Sequence, residues 1–121
     1  MSFETKEFAF KAVRLLNEKK AEDLTLLKIG KVSIIADYFL ICNGSTVIQT
    51  KMLCDHLLEN LPEDDFQLLR VEGYRQGRWI LLDFGALIIH IFVPEEREFY
   101  NLERLWGNAH KVDVGFLSTS L

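Results

Sequence analysis

The run from Trp79 to Phe92, WILLDFGALIIHIF, restricts this chain more than any other window. Two segments rich in Ile and Leu flank Asp83-Phe84-Gly85-Ala86, and glycine in third place suits a type II turn, which needs positive φ there. The stretch should form a buried β-hairpin with His90 across from about Trp79. Strand residues alternate sides, so Ile80, Leu82, Leu87, Ile89, Ile91 and Val93 share one aliphatic side that should lie under helices. The other side carries Trp79, Leu81, Asp83, Ala86, Ile88, His90 and Phe92. An ordinary core has no reason to collect aromatic, acidic and imidazole groups, which marks this side as the functional one.

The remaining 107 residues must supply those helices and further strands, and 121 residues in all suit one domain that buries about two-thirds of its unfolded surface. No disulfide staple is needed at this size. Cys42 and Cys54 lack metal-site spacing and fit structural thiols in a reducing compartment. No apolar run approaches a membrane span, and Met1-Ser2-Phe3-Glu4 lacks the order of a signal peptide, so a cytoplasmic, soluble protein is expected. The net charge of −4, with a pI near 5.3, argues against a protein that grips nucleic-acid phosphates. A protein partner, basic in character, fits better.

Upstream of the hairpin, Phe8, Ala12, Leu15 and Leu16 recur at helical spacing between Phe3 and about Lys20. Leu24 to Ile29 reads as a short strand closed by Gly30, and Tyr38 to Cys42 as a central strand, apolar on both sides. Thr46 to Gln49 has capping-box spacing, so a helix should follow with the stripe Ile48, Met52, Leu53, Leu57 and Leu61, stopped by Pro62. Glu63-Asp64-Asp65 makes a polar loop, Phe66 to Val71 a modest third strand, and Glu72 to Arg78 a glycine-containing connection. After Pro94, Glu95 to Trp106 suits a short helix docked by aromatics, while 107–121 reads as an uninformative tail of the single domain 1–121. The expected fold is α/β with a mixed five-stranded sheet flanked by helices.

Chemistry is hard to assemble from these parts. Gly44-Ser45 at a strand-to-helix junction could cradle phosphate, as in nucleotidyltransferases, but those enzymes also hold metals with two acids one residue apart on a strand. Here the first acid after the junction is Asp55, on the expected helix, and Leu57 stands two positions on. Asp83 and His90 could form a base with its orienting acid, yet they lie two residue pairs apart and no nucleophile accompanies them. Asp83 bonding turn N–H groups and His90 bonding Trp79 is the plainer assignment. Cys54 and His56 diverge on a helix, His110 is alone in the tail, and Arg75 and Arg78 suit a solvated turn. No catalytic residue, metal or cofactor is expected.

Aromatic residues carry the stronger signal. Trp79, Phe84 and Phe92 on the hairpin, with Tyr100 and Trp106 after it, exceed what a polar outer face collects, and aromatic anchors are what interfaces are built from. Phe99, Leu102 and Trp106 are expected to fold inward, whereas Trp79 and Phe84 are expected at the surface.

Three groups of residues also resemble the motifs of the ribosomal silencing factor, or Iojap, family. Asp37-Tyr38-Phe39 with Cys42 and Gly44 resembles the first. Glu72-Gly73, Trp79, Asp83, Gly85, His90 and Phe92 resemble the second; Arg97, Tyr100-Asn101-Leu102-Glu103 and Leu105-Trp106 resemble the third. The likeness spans about Phe8 to Trp106, and one departure is that the arginine usual just before Gln49 is replaced by Ile48. The resemblance implies a nucleotidyltransferase-like fold without the catalytic acids, and a binding factor rather than an enzyme. It further implies docking on the large ribosomal subunit through ribosomal protein L-fourteen, preventing the small subunit from joining. Trp79, Asp83, Phe84, His90, Phe92, Arg97 and Tyr100 are the expected partner-binding residues, and the free protein is expected to form a homodimer. The alternative is a small nucleotide-binding enzyme of nucleotidyltransferase type, with Gly44-Ser45 as its phosphate cradle.

Overall fold

The computed structural model describes residues 2–30, 35–62, 66–107 and 109–117. The expected loop at Glu63-Asp64-Asp65 and the Lys31 to Ile34 part of the first connection lie outside those residues.

Two fully buried strands form the middle of the sheet. β2 (Tyr38–Asn43) and β5 (Leu87–Phe92) are buried at every residue and pair in parallel, Leu40 opposite Ile89. Such strands need cover on both faces. The other pairings are antiparallel: β1 (Glu22–Lys28) beside β2, β4 (Trp79–Asp83) beside β5, β3 (Arg70–Glu72) outside β4 and β6 (His110–Val112) outside β1. Among the described residues the sheet thus has six strands, ordered β3-β4-β5-β2-β1-β6, rather than five. The sixth comes from the stretch read as tail; His110-Lys111-Val112 is too short and polar to signal a strand by itself, and it exists because β1 offers an edge.

α1 (Ser2–Glu18) and α2 (Val47–Asn60) cover one face. Phe8, Ala12, Val13 and Leu16 of α1 and Leu53, Cys54 and Leu57 of α2 pack on Leu26, Leu40, Ile80, Leu82, Leu87, Ile89 and Ile91. That is the aliphatic side read from the hairpin. The α2 stripe is rotated from expectation: Ile48 and Met52 are exposed, at 76% and 44%, while Thr50 and Cys54 are buried. Thr50 faces the core, where its hydroxyl donates to the carbonyl of Gly77 at 2.6 Å and satisfies a polar group on the buried side of the helix start. Burial drives both thiols up to about 12, which makes Cys42 and Cys54 inert packing groups.

The expected capping box forms by half. Thr46 accepts the Gln49 N–H at 3.1 Å, but the Gln49 side chain reaches past Thr46 to accept the N–H and hydroxyl of Ser45, both at 2.7 Å. The third strand is limited to Arg70–Glu72, and Phe66, expected to begin it, instead stacks on Phe8 with ring centroids 4.4 Å apart. The single short helix after Pro94 is two, α3 (Pro94–Tyr100) and α4 (Leu102–Leu105), broken at Asn101, which adopts the left-handed conformation that asparagine tolerates. This segment covers part of the second face, where Leu102 and Trp106 pack with Leu27, Phe39, Ile41, Ile88 and Phe92. No helix among the described residues is long and apolar enough to cross a membrane.

Candidate functional site

The hairpin closes one residue later than its turn sequence suggests. Phe84 N–H bonds the Leu87 carbonyl at 2.9 Å, leaving Gly85 and Ala86 at the tip, with Gly85 at φ 81° and its N–H held by Asp83 Oδ1 at 2.8 Å. Trp79 therefore faces Phe92, Leu81 faces His90 and Asp83 faces Ile88. The register moves by two residues, an even number, so every side chain keeps its expected face. His90 is the diagonal rather than the direct neighbour of Trp79, and the two are joined by a 3.1 Å hydrogen bond from the indole Nε1 to Nδ1.

Around Trp79 the aromatic residues form a connected platform. The indole stacks on Phe92 (4.9 Å) and lies under Tyr100 (4.6 Å), which meets Phe99 edge-on at 5.0 Å. Inward, Phe39 meets the edges of His90 (4.7 Å) and Trp106 (5.6 Å). Its outer end is open: Phe99 is 78% and Tyr100 44% exposed, and Leu105 is also exposed. Phe99, expected to fold inward with Leu102 and Trp106, does not: the break at Asn101 separates it from Leu102, which turns inward.

Phe84, expected at the surface, is buried. Alternation places it on the side of Ile80 and Leu82, where its ring meets Phe8 at 5.1 Å. His90 and Phe92 are likewise buried and Trp79 is half-buried, so Phe99 and Tyr100 are the rings of the platform nearest solvent, with Trp79 next. His90 is held neutral, its pKa pushed down to about 4 by burial. Since Nδ1 accepts from Trp79, the proton sits on Nε2, which has no partner among the described residues. Asp83 has no hydrogen bond to His90; it bonds the turn and pairs with Arg70 at 3.2 Å.

Arg97 faces inward too. Its guanidinium donates to the Asp23 carbonyl, Asn43 Oδ1, Thr25 Oγ1 and Glu103 Oε2. Burial alone would raise the Glu103 pKa, but bonding and charge from Arg97 outweigh it and hold the carboxyl below its usual value. Arg78, read as a solvated turn residue, pairs with Glu96 of α3 at 2.7 Å. No composition or spacing signal couples residues 18 positions apart across a turn.

The Gly44-Ser45 junction is already occupied by its own chain. Gln49 takes the Ser45 N–H and hydroxyl, and its amide donates to the carbonyls of Lys19 and Lys20 at 3.1 and 3.3 Å. Asp55 is bound by the Tyr74 hydroxyl at 3.0 and 3.1 Å. Among the described residues no group of three or more His, Cys, Asp or Glu could hold a metal ion.

Fold and site together define a single-domain α/β protein with a mixed sheet and an aromatic platform at the surface. The chain belongs to the ribosomal silencing factor family: the family model described as "Ribosomal silencing factor during starvation" matches residues 2–120. It is 41% identical over 103 residues to the ribosomal silencing factor RsfS of Halalkalibacterium halodurans, covering 85% of this chain and 88% of that one. A mouse protein named "Mitochondrial assembly of ribosomal large subunit protein 1" is 30% identical over 97 residues, 78% of this chain and 42% of its own length. A crystal structure from Bacillus halodurans superposes with a TM-score of 0.77 at 36% identity, covering 89% of this chain and 98% of that one.

Proposed function

We propose that this protein is a ribosome-associated regulator of translation that binds the large ribosomal subunit, through ribosomal protein L-fourteen, and sterically prevents the small subunit from joining. The observation that carries the proposal is the open aromatic platform, in which exposed Phe99 and Tyr100 continue directly onto half-buried Trp79. Aromatic side chains with one protected and one open face are the usual centres of protein interfaces. Family membership supports the ribosome as the target, and the name of the mouse relative supports the large subunit. A net charge of −4 suits a basic ribosomal protein as the immediate partner. Trp79 and Tyr100 make the contact; His90, Phe92 and Arg97 shape the surface from beneath, Asp83 holds the hairpin turn, and Phe84 serves the core on the helix-covered side. Action is in the cytoplasm, without a cofactor or a chemical step. The α/β architecture is a nucleotidyltransferase-like fold stripped of its acids, consistent with Gln49 filling the Gly44-Ser45 junction.

Sedimentation of purified subunits tests the reading. Added protein should travel with large subunits and reduce joined ribosomes, and Trp79→Ala should weaken that association by about thirtyfold, the effect of an interface tryptophan worth roughly 2 kcal/mol. Joining unaffected by a saturating excess of protein would defeat the proposal.

A further inference from the structure

α3 has an unusual relation to the domain it sits on. None of its seven residues is fully buried, and a helix this short does not persist in water by itself. Apolar burial therefore does not hold it, although Tyr100 at its end must stay within 4.6 Å of the Trp79 ring. What holds it is polar. The Arg97 side chain, 12% exposed, reaches from the middle of α3 to the start of β1 and the end of β2, segments 54 to 74 residues away in sequence.

The receiving site is shaped for a planar fork. β1 is irregular between Glu22 and Thr25, with Asp23 at φ 53°, and the Asp23 carbonyl accepts from Arg97. Asn43 accepts from the same Nη1 at 3.1 Å, and its own amide donates to Asp23 Oδ2 at 3.4 Å. Nη2 reaches Thr25 at 3.1 Å and the carboxylate of Glu103, beyond the Asn101 break. One side chain thus ties α3, the start of α4, β1 and β2 together. A lysine has three donors at a single point and cannot span four acceptors in this plane.

We infer that Arg97 is a positioning residue: its guanidinium, fixed by the β1 irregularity, Asn43, Thr25 and Glu103, sets the pose of α3 and so holds Tyr100 on Trp79. The inference rests on the proposed function for its use, since Tyr100 and Trp79 form the docking platform, but the pose itself can be measured without a ribosome. The position assigned from sequence to direct partner contact acts from behind the platform.

Hydrogen exchange and tryptophan fluorescence on the whole protein test it. In Arg97→Lys, amides of residues 95–105 should exchange about tenfold faster, as expected for a locally weakened segment, while those of Ile80, Leu82 and Ile89 keep their wild-type rates. In a Trp106→Phe background, where Trp79 is the sole tryptophan, Arg97→Lys should shift emission to the red and raise acrylamide quenching about twofold as Tyr100 lifts away. Glu103→Gln, which keeps an acceptor but loses the charge, should move both signals the same way by a smaller amount and serves if the lysine variant does not fold. Unchanged Trp79 emission, or exchange that rises equally through β4 and β5, overturns the inference. Large-subunit binding by wild type is scored separately: its absence counts against the proposed function and leaves the exchange and emission results to decide the role of Arg97.

Discussion

The Trp79 indole donates to His90 Nδ1 across 3.1 Å, and that one bond decides where His90 carries its proton. A charged imidazole would turn Nδ1 into a donor facing a donor, in a site that already disfavours charge by burial. Trp79 and His90 are therefore coupled: the ring orientation of the platform depends on a neutral histidine beneath it.

Stability should consequently fall as pH is lowered through the histidine range. The folded pKa is near 4 and the unfolded value near 6.5, so between those pH values the unfolded chain binds more protons than the folded one. The contribution is present in full above about pH 6.5 and is lost progressively toward pH 4, on the order of 3 kcal/mol across the window. His90→Asn keeps an acceptor near the indole and removes the titration, so its melting temperature should vary with pH less steeply than wild type. Parallel melting curves over this range for the two proteins would show that His90 is not the group responsible.

Gly73 should tolerate no side chain. Its φ is 81°, and an added Cβ would lie 2.0 Å from the Trp79 carbonyl oxygen, a backbone atom that cannot step aside. Gly73→Ala should lower stability by about 2 kcal/mol or more, read from chemical denaturation, and should disturb the start of β4 before any other strand. Gly85→Ala is a useful contrast, since it has the same φ but meets only the Leu69 side chain at 3.7 Å; it should cost about 1 kcal/mol.

Phe99 and Tyr100 should separate binding from folding. Phe99→Ala should leave the melting temperature within about 2 °C of wild type, because an exposed ring contributes little to the folded state. Tyr100→Ala should weaken large-subunit binding at least about tenfold, with a modest loss of stability from its contact with Trp79. A large drop in melting temperature for Phe99→Ala, or full affinity in Tyr100→Ala, would contradict the placement of the docking surface.

Self-association of the free protein is the fourth expectation. Phe99, Tyr100 and Leu105 form apolar surface near one another in sequence, and unoccupied surface of that kind favours pairing of copies. Light scattering should show a homodimer whose fraction rises with concentration and falls in Phe99→Ala. A monomer across micromolar to millimolar concentration would rule it out.

How much of this was legible in the sequence depends on how far apart the interacting residues stand. The two faces of the hairpin follow from alternation, and β2 and α2 announced themselves by composition and capping residues within a few positions. The two-residue slip at the turn was not legible, because Asp83 holding Gly85 selects among closures that the same four residues permit. Alternation did contain the burial of Phe84, on the side of Ile80 and Leu82, but a turn position suggested exposure. Arg97 and β6 lay beyond reach for another reason. Each owes its role to β1, some 70 to 90 residues earlier in the chain, and neither carries a local pattern.

The two outermost strands, β3 and β6, are three residues long. A sheet grows by adding a strand along an unpaired backbone, and edges this short offer few free groups to another chain; the Arg70 side chain on β3, engaged by Asp83 and Glu72, places charge there as well. Runaway polymerisation through the backbone is thereby discouraged, even though the two central strands, β2 and β5, are buried at every residue. Contact between copies, or with any other protein, is left to side chains on the broad faces, where shape and chemistry can discriminate.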